Sequence, residues 1–144
     1  MIVTFPFDDG SFDMIFHPVA NCYIDNVTHV WNECYRVLKK GGRLLSGFCK
    51  EELALFEFDW DKSPPIVVTN PLPYNPLKAL SKEELAEKAE KGETLVFSHT
   101  LEEQIGGQIN AGFQIQGIYD DRDIGGVFAK YMNTYIATMA VKGH

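Results

Sequence analysis

Residues 25–49, Asp25-Asn-Val-Thr-His-Val-Trp-Asn-Glu-Cys-Tyr-Arg-Val-Leu-Lys-Lys-Gly-Gly-Arg-Leu-Leu-Ser-Gly-Phe-Cys49, decide the fold class. Val27, Val30, Trp31, Cys34, Val37 and Leu38 fall on one face of a helix, and Asp25 or Asn26 stands where an N-cap belongs. Arg36, Lys39 and Lys40 crowd the last turns and Gly41-Gly42 follows, a pattern that predicts cations at the negative helix end and a glycine stop. Arg43-Leu-Leu-Ser-Gly-Phe-Cys then reads as a buried strand. Upstream, Met14-Ile-Phe is apolar without alternation, as in a strand covered on both faces. Strand, helix and strand in this order predict a parallel crossover unit.

Working outward, residues 50–80 change character. Phe56-Glu-Phe-Asp-Trp60-Asp alternates aromatic and acidic residues, and Pro64-Pro65 and Asn70-Pro-Leu-Pro-Tyr-Asn-Pro76 forbid a central strand. Ser81-x-x-Glu84 and Thr100-x-x-Glu103 are capping-box patterns. The first opens a charged helix to Lys91; the second opens a helix that Gly106-Gly107 weakens and Gly112 ends. Phe113–Tyr119 alternates apolar and polar residues like an outer strand, and Tyr135-Ile-Ala-Thr-Met-Ala-Val-Lys reads as a last one. The expected fold is α/β: β-α-β, an irregular insertion at about 50–99, a helix, and a closing antiparallel pair, within one domain portion spanning 1–144.

Composition narrows the function. The 144 residues carry a net charge of −7, with 45% hydrophobic and 23% charged residues. Neither half is basic, which speaks against a nucleic-acid partner or an anionic membrane surface. No apolar run approaches the roughly 18 residues of a membrane span. Cys22, Cys34 and Cys49 contain no C-x-x-C pair, and the four histidines lack ligand spacing, so no metal site is expected. An odd cysteine count without a leader pattern predicts reduced thiols and a cytoplasmic location.

Residues 5–16 (Phe-Pro-Phe-Asp-Asp-Gly-Ser-Phe-Asp-Met-Ile-Phe) and 33–48, which contain Tyr-Arg-Val-Leu-Lys-Lys-Gly-Gly-Arg-Leu-Leu, resemble the second half of class I S-adenosylmethionine-dependent methyltransferases of the small-molecule branch. The resemblance implies a partial Rossmann-like sheet holding that family's fourth to seventh strands. In the family the cofactor rests on the first three strands, around a Gly-rich turn and an acidic residue for the ribose. No such G-x-G turn occurs, and Met1 falls about where the family's adenine-side Asp stands. The sequence therefore looks like the C-terminal portion of such an enzyme. S-adenosylmethionine is expected for the parent and not for this chain alone.

Carried over position by position, Phe16, His17 and Pro18 match the strand end that flanks the methionine part of the cofactor. Asn21, Cys22 and Tyr23 match a substrate-facing segment. His17 is a candidate proton acceptor, or else a polar loop residue; Tyr23 is a candidate catalytic hydroxyl, or else a packed aromatic. Trp60 and Tyr74 are candidates for a substrate lid, with a packed arm as the alternative. Asn70-Pro-Leu-Pro-Tyr superficially resembles an amine-methylating motif, but it lies after the wrong strand. Two functions stand side by side: the C-terminal portion of a methyltransferase acting on a small-molecule acceptor, or a non-catalytic, self-associating remnant that lacks cofactor binding. A homodimer through the strand edge Met14–Phe16 is expected, because a central strand of the parent sheet becomes an edge here.

Overall fold

The computed structural model describes residues 4–56 and 67–143. Strand β1 (Phe12–Pro18) leads through a 3₁₀ turn at Asn21–Tyr23 into helix α1 (Val27–Val37), and β2 (Leu38–Cys49) follows at once. After the insertion, with helices α2 (Pro76–Ala79) and α3 (Lys82–Glu90), come α4 (Gly107–Ala111), β3 (Phe113–Asp121) and β4 (Tyr135–Lys142). The sheet order is β1-β2-β4-β3, with β1 parallel to β2 and the other pairs antiparallel. That is the 4-5-7-6 order implied by the methyltransferase resemblance.

Asn26 caps α1, its side chain accepting from the His29 N–H at 3.1 Å. The helix buries Val27, Val30, Trp31, Cys34 and Val37, and the core joins Val30, Trp31, Cys34, Leu38 and Leu44 to Phe113 and Ala140. Each large apolar side chain buried there contributes about 1.5–3 kcal/mol. A wide helical turn at Glu102–Gly106 precedes α4. Thr100 and Glu103 form the expected capping box, Glu103 N–H donating to Thr100 Oγ1 (3.1 Å) and Thr100 N–H to Glu103 Oε2 (2.9 Å). Gly106-Gly107 does not interrupt this helix. Gly107 and Gly112 admit α1: a Cβ on Gly107 would stand 2.6 Å from Trp31 Cδ1, and one on Gly112, at φ +109°, would stand 2.8 Å from Tyr35 Cζ. Gly112 then ends α4 in the left-handed conformation.

Three expectations are corrected. Gly41-Gly42 does not stop α1, which ends at Val37 with Leu38 already extended. The glycines lie inside β2, Gly41 at φ +76°, where the pairing with β1 shifts register between Phe12 and Met14. Nor do Arg36 and Lys39 serve the helix end. Arg36 reaches back to Glu33, Asp9 and the carbonyls of Phe5 and Phe7, and Lys39 pairs with Asp13. The cation at the helix end comes from β4: Lys142 Nζ donates to the carbonyls of Tyr35 (2.7 Å) and Leu38 (2.8 Å). Finally, Met14-Ile-Phe is not covered on both faces. Helices α1 and α4 pack on one side of the sheet; on the other, Met14 is 56% and Phe16 72% exposed.

In the insertion, Phe56 bridges Val68, and Asn70 Nδ2 donates to the Ala54 carbonyl at 3.0 Å. Helix α3 carries the expected capping box of Ser81 and Glu84 and buries no residue. Beyond it, an extended stretch at 96–99 returns across the strand ends, with Phe97 N–H donating to the Cys22 carbonyl at 2.7 Å.

Candidate functional site

The carboxyl ends of β1 and β2 open into a cavity of about 250 Å³. Open α/β sheets place their ligands at this end of their strands. Val19 makes the corner: it holds a left-handed φ of +40°, and its N–H donates to the Gly47 carbonyl at 2.8 Å. For a β-branched residue this conformation costs on the order of 1–3 kcal/mol, strain of the kind that gathers at functional sites. The floor is Val19, Cys22, Tyr23, Cys49 and Tyr135; Glu51, Leu53 and Ala54 form one wall; Val96, Phe97 and His99 form the roof. The lining is mainly apolar, with a few polar groups converging on it.

Those polar groups are held firmly. His99 is buried, and its Nε2 lies 2.7 Å from the Ile24 carbonyl and 3.0 Å from the Asn21 carbonyl. Both partners are acceptors, so Nε2 carries the proton. Asn21 is fully buried; its Nδ2 donates to Gln104 Oε1 and its Oδ1 accepts from His17 Nε2, both at 2.7 Å. The ladder continues inward. Gln108 Nε2 donates to the Gln104 carbonyl (3.0 Å), Thr138 Oγ1 donates to Gln108 Oε1 (3.0 Å), and Ser46 and Thr138 hydroxyls meet at 2.7 Å across β2 and β4. With its only hydrogen donated to Gln108, Thr138 must accept from Ser46. The Gln108 amide orientation follows from its bond to a backbone carbonyl, a partner of fixed polarity.

The thiols have distinct characters. Cys49 donates a hydrogen bond to the Cys22 sulfur, and with help from Tyr23 this lowers the Cys22 thiol to about 7 against the burial that opposes it. The same contact and burial push Cys49 up. Tyr23 is raised chiefly by the Cys22 charge, Tyr135 and Glu51 chiefly by burial. Cys34, in the core, is pushed up to about 12 by burial.

Of the residues singled out from sequence, Tyr23 lines the cavity and is 57% exposed. His17 is half-buried at the same strand end, edge-on to Trp31, and is not among the lining residues. Phe16 and Pro18 lie beside an open apolar groove on the uncovered sheet face. Asn21 does not face a substrate: buried, it supports His17. Tyr74 ties the Pro-rich arm to the roof, its N–H donating to Ser98 Oγ at 2.6 Å and its carbonyl accepting from Ser98 N–H at 2.9 Å. Trp60 lies outside the described residues. Sequence reasoning missed Cys22 and Cys49 as a pair, His99, and the Gln104–Gln108 ladder. The last has a signal: two glutamines at i, i+4 after a capping box.

A nucleoside cradle needs glycines in a strand-to-helix turn, so that backbone N–H groups approach the ligand, and a carboxylate for the ribose. Neither turn here has one. The segment 19–26 between β1 and α1 contains no glycine, nor does 50–56 after β2. The glycine signature of such a cradle is therefore not carried by either of these two turns. No group of three or more metal-ligating side chains occurs among the described residues, and none of their helices is long and apolar enough to cross a membrane.

Residues 2–46 match the family model described as a methyltransferase domain. The chain is 44% identical over 136 residues to the uncharacterized methyltransferase YbaJ of Bacillus subtilis (strain 168), covering 94% of this chain and 53% of that protein. It thus spans about half the length of the curated relative it matches. Among solved structures it resembles an S-adenosylmethionine-dependent methyltransferase from Mesorhizobium loti (TM-score 0.67, 13% identity, 98% of this chain and 66% of that one). It also resembles a putative S-adenosylmethionine-dependent methyltransferase from Listeria monocytogenes (TM-score 0.64, 14% identity, 96% and 64%).

Proposed function

We propose that the chain is a homologue of the class I S-adenosylmethionine-dependent methyltransferases, and that its part in that chemistry is to hold the methyl acceptor, a small molecule, in the cavity at the ends of β1 and β2. The observation that carries this is the partly open, mainly apolar cavity of about 250 Å³ at the carboxyl ends of two parallel strands. Its size suits a small molecule and no polymer, and the net charge of −7 disfavours nucleic acid.

In this reading the Tyr23 hydroxyl orients the acceptor. His17 stands at the same strand end but outside the cavity lining, so its part as proton acceptor requires an acceptor that extends past the cavity toward β1; with Nε2 donating to Asn21, Nδ1 is the nitrogen left to do so. Phe16 and Pro18 stand on the free edge of β1, toward the side where the family keeps the methionine end of its cofactor. Catalysis in this class is mainly alignment of the acceptor with the transferring methyl group. The described residues serve that by fixing the cavity walls. With no adenosine cradle among them, these 144 residues bind S-adenosylmethionine weakly or not at all on their own.

Self-association accompanies this reading. Strand β1 is a sheet edge, and Met14 and Phe16 are exposed on it with no Lys or Pro between them to blunt pairing. A homodimer through that edge covers both. The three unpaired cysteines suit a reducing compartment such as the cytoplasm.

The acceptor reading is tested by NMR of the labelled chain against a panel of small phenols, amines, carboxylates and thiols. Shift changes concentrated on Tyr23, His99 and Tyr135 for one chemical class support it. A panel without effect on those residues, or effects confined to the uncovered sheet face, overturns it.

A further inference from the structure

Cys22 and Cys49 sit on different elements, the 3₁₀ turn after β1 and the last position of β2, and are brought together by the parallel pairing of Pro18 with Gly47 and by the Val19–Gly47 hydrogen bond. Both line the cavity and both are half-buried, and each thiol is the largest influence on the other's ionisation. We propose that Cys22 and Cys49 form a peroxide-reactive dithiol in the cavity floor, with Cys22 the attacking thiol and Cys49 the resolving one. This goes beyond acceptor binding, and its chemistry requires no methyl transfer.

The roles follow from the local chemistry. The Cys22 S–H donates to the Val19 carbonyl at 3.6 Å, and the Cys49 and Tyr23 side chains, which line the same cavity, both favour the charged form of its sulfur. That environment favours the thiolate, the form that attacks. Cys49 receives no such help and keeps its proton. The other ionisable groups lining the cavity are Tyr23, Tyr135, Lys50, Glu51 and His99. Cys34 is 1% exposed in the core and takes no part.

The steps balance with a hydroperoxide as oxidant. The Cys22 thiolate attacks the distal peroxide oxygen; the O–O bond breaks, the sulfur is oxidised to a sulfenic acid, and the departing oxygen leaves as alkoxide or hydroxide that takes up a proton. Cys49 then attacks the Cys22 sulfur, an S–S bond forms, and the displaced hydroxide leaves as water with the Cys49 proton. Two thiols are oxidised and one peroxide is reduced. Because both sulfurs belong to the floor, the bond reshapes the acceptor site, and a dithiol reductant restores it.

The test treats the reduced 144-residue chain with hydrogen peroxide and maps thiols by peptide mass spectrometry without reduction. The expected result is a Cys22–Cys49 linked peptide lacking two hydrogens, a free Cys34, and reversal by dithiothreitol. In Cys49→Ser, dimedone should trap a sulfenic acid on Cys22; in Cys22→Ser, no adduct should form on Cys49. On the untreated chain, iodoacetamide should alkylate Cys22 about ten-fold or more faster than Cys34. Loss of the link with Cys22 left as an unresolved sulfenic acid, a bond to Cys34, or a bond between chains overturns the proposal. So does a peroxide-inert Cys22 in a chain whose amide spectrum shows it folded.

Discussion

The indole of Trp31 occupies the place where a Cβ on Gly107 would stand, 2.6 Å from its Cδ1, and its Nε1–H donates to the Glu103 carbonyl at 3.0 Å. One residue thereby seats the wide helical turn on α1 and holds Gln104, the partner of Asn21, at the site. Gly107→Ala should destabilise the fold by about 1–3 kcal/mol through overpacking, and Trp31→Ala by about 3–5 kcal/mol through the cavity it leaves. Urea unfolding monitored by circular dichroism checks both. A Gly107→Ala midpoint equal to the parent's would refute the close approach.

The carboxylate of Glu33 links the entry segment to α1, accepting from Phe5 N–H at 2.7 Å and from Arg36 Nε at 2.9 Å. These bonds hold it at about 2 instead of its ordinary 4.5. Its folded value is depressed, so its stabilising effect is complete above pH 4.5 and fades as pH falls toward 2. Glu33→Gln should therefore lie below the parent in stability at neutral pH, with the gap closing on acidification through that window. Thermal unfolding across the range reads it; a gap independent of pH would remove the charge from the explanation.

Asn21 joins His17 to Gln104 in the buried ladder. Asn21→Leu strands the Gln104 oxygen and should cost about 1–3 kcal/mol. It should also release the His17 tautomer. Long-range nitrogen NMR should find the Nε2–H form for His17 in the parent and a mixture in the variant; a mixture in both would break the link.

The β-α-β unit was legible because Val27 to Leu38 keep a strict helical period, and the capping boxes at Ser81 and Thr100 because each needs only four residues. Local signals failed where the cause is remote. Gly41-Gly42 looks like a helix stop, yet it serves the register between β1 and β2. The helix-end cation, Lys142, comes from the far end of the chain. Exposure of Met14 and Phe16 depends on what covers the sheet, which their own apolar character does not reveal. At the site, Tyr23 was visible, whereas the Cys22–Cys49 pair exists only once two strands are placed in parallel.

Phe16, 72% exposed on the edge strand, is the natural anchor of a dimer. Light scattering after size exclusion should give twice the 16.3 kDa chain mass, and Phe16→Lys should return it to the monomer. A parent that stays monomeric at high concentration would dismiss the edge as an interface.

The proposed division of labour, an acceptor cavity in this chain without an adenosine cradle among the described residues, is tested most directly by calorimetric titration. The 144-residue chain, verified as folded, is titrated with S-adenosylmethionine and with its demethylated product. The expected result is no binding heat at micromolar protein, consistent with strand-to-helix turns at 19–26 and 50–56 that hold no glycine. A saturable isotherm with micromolar affinity for either compound would contradict it.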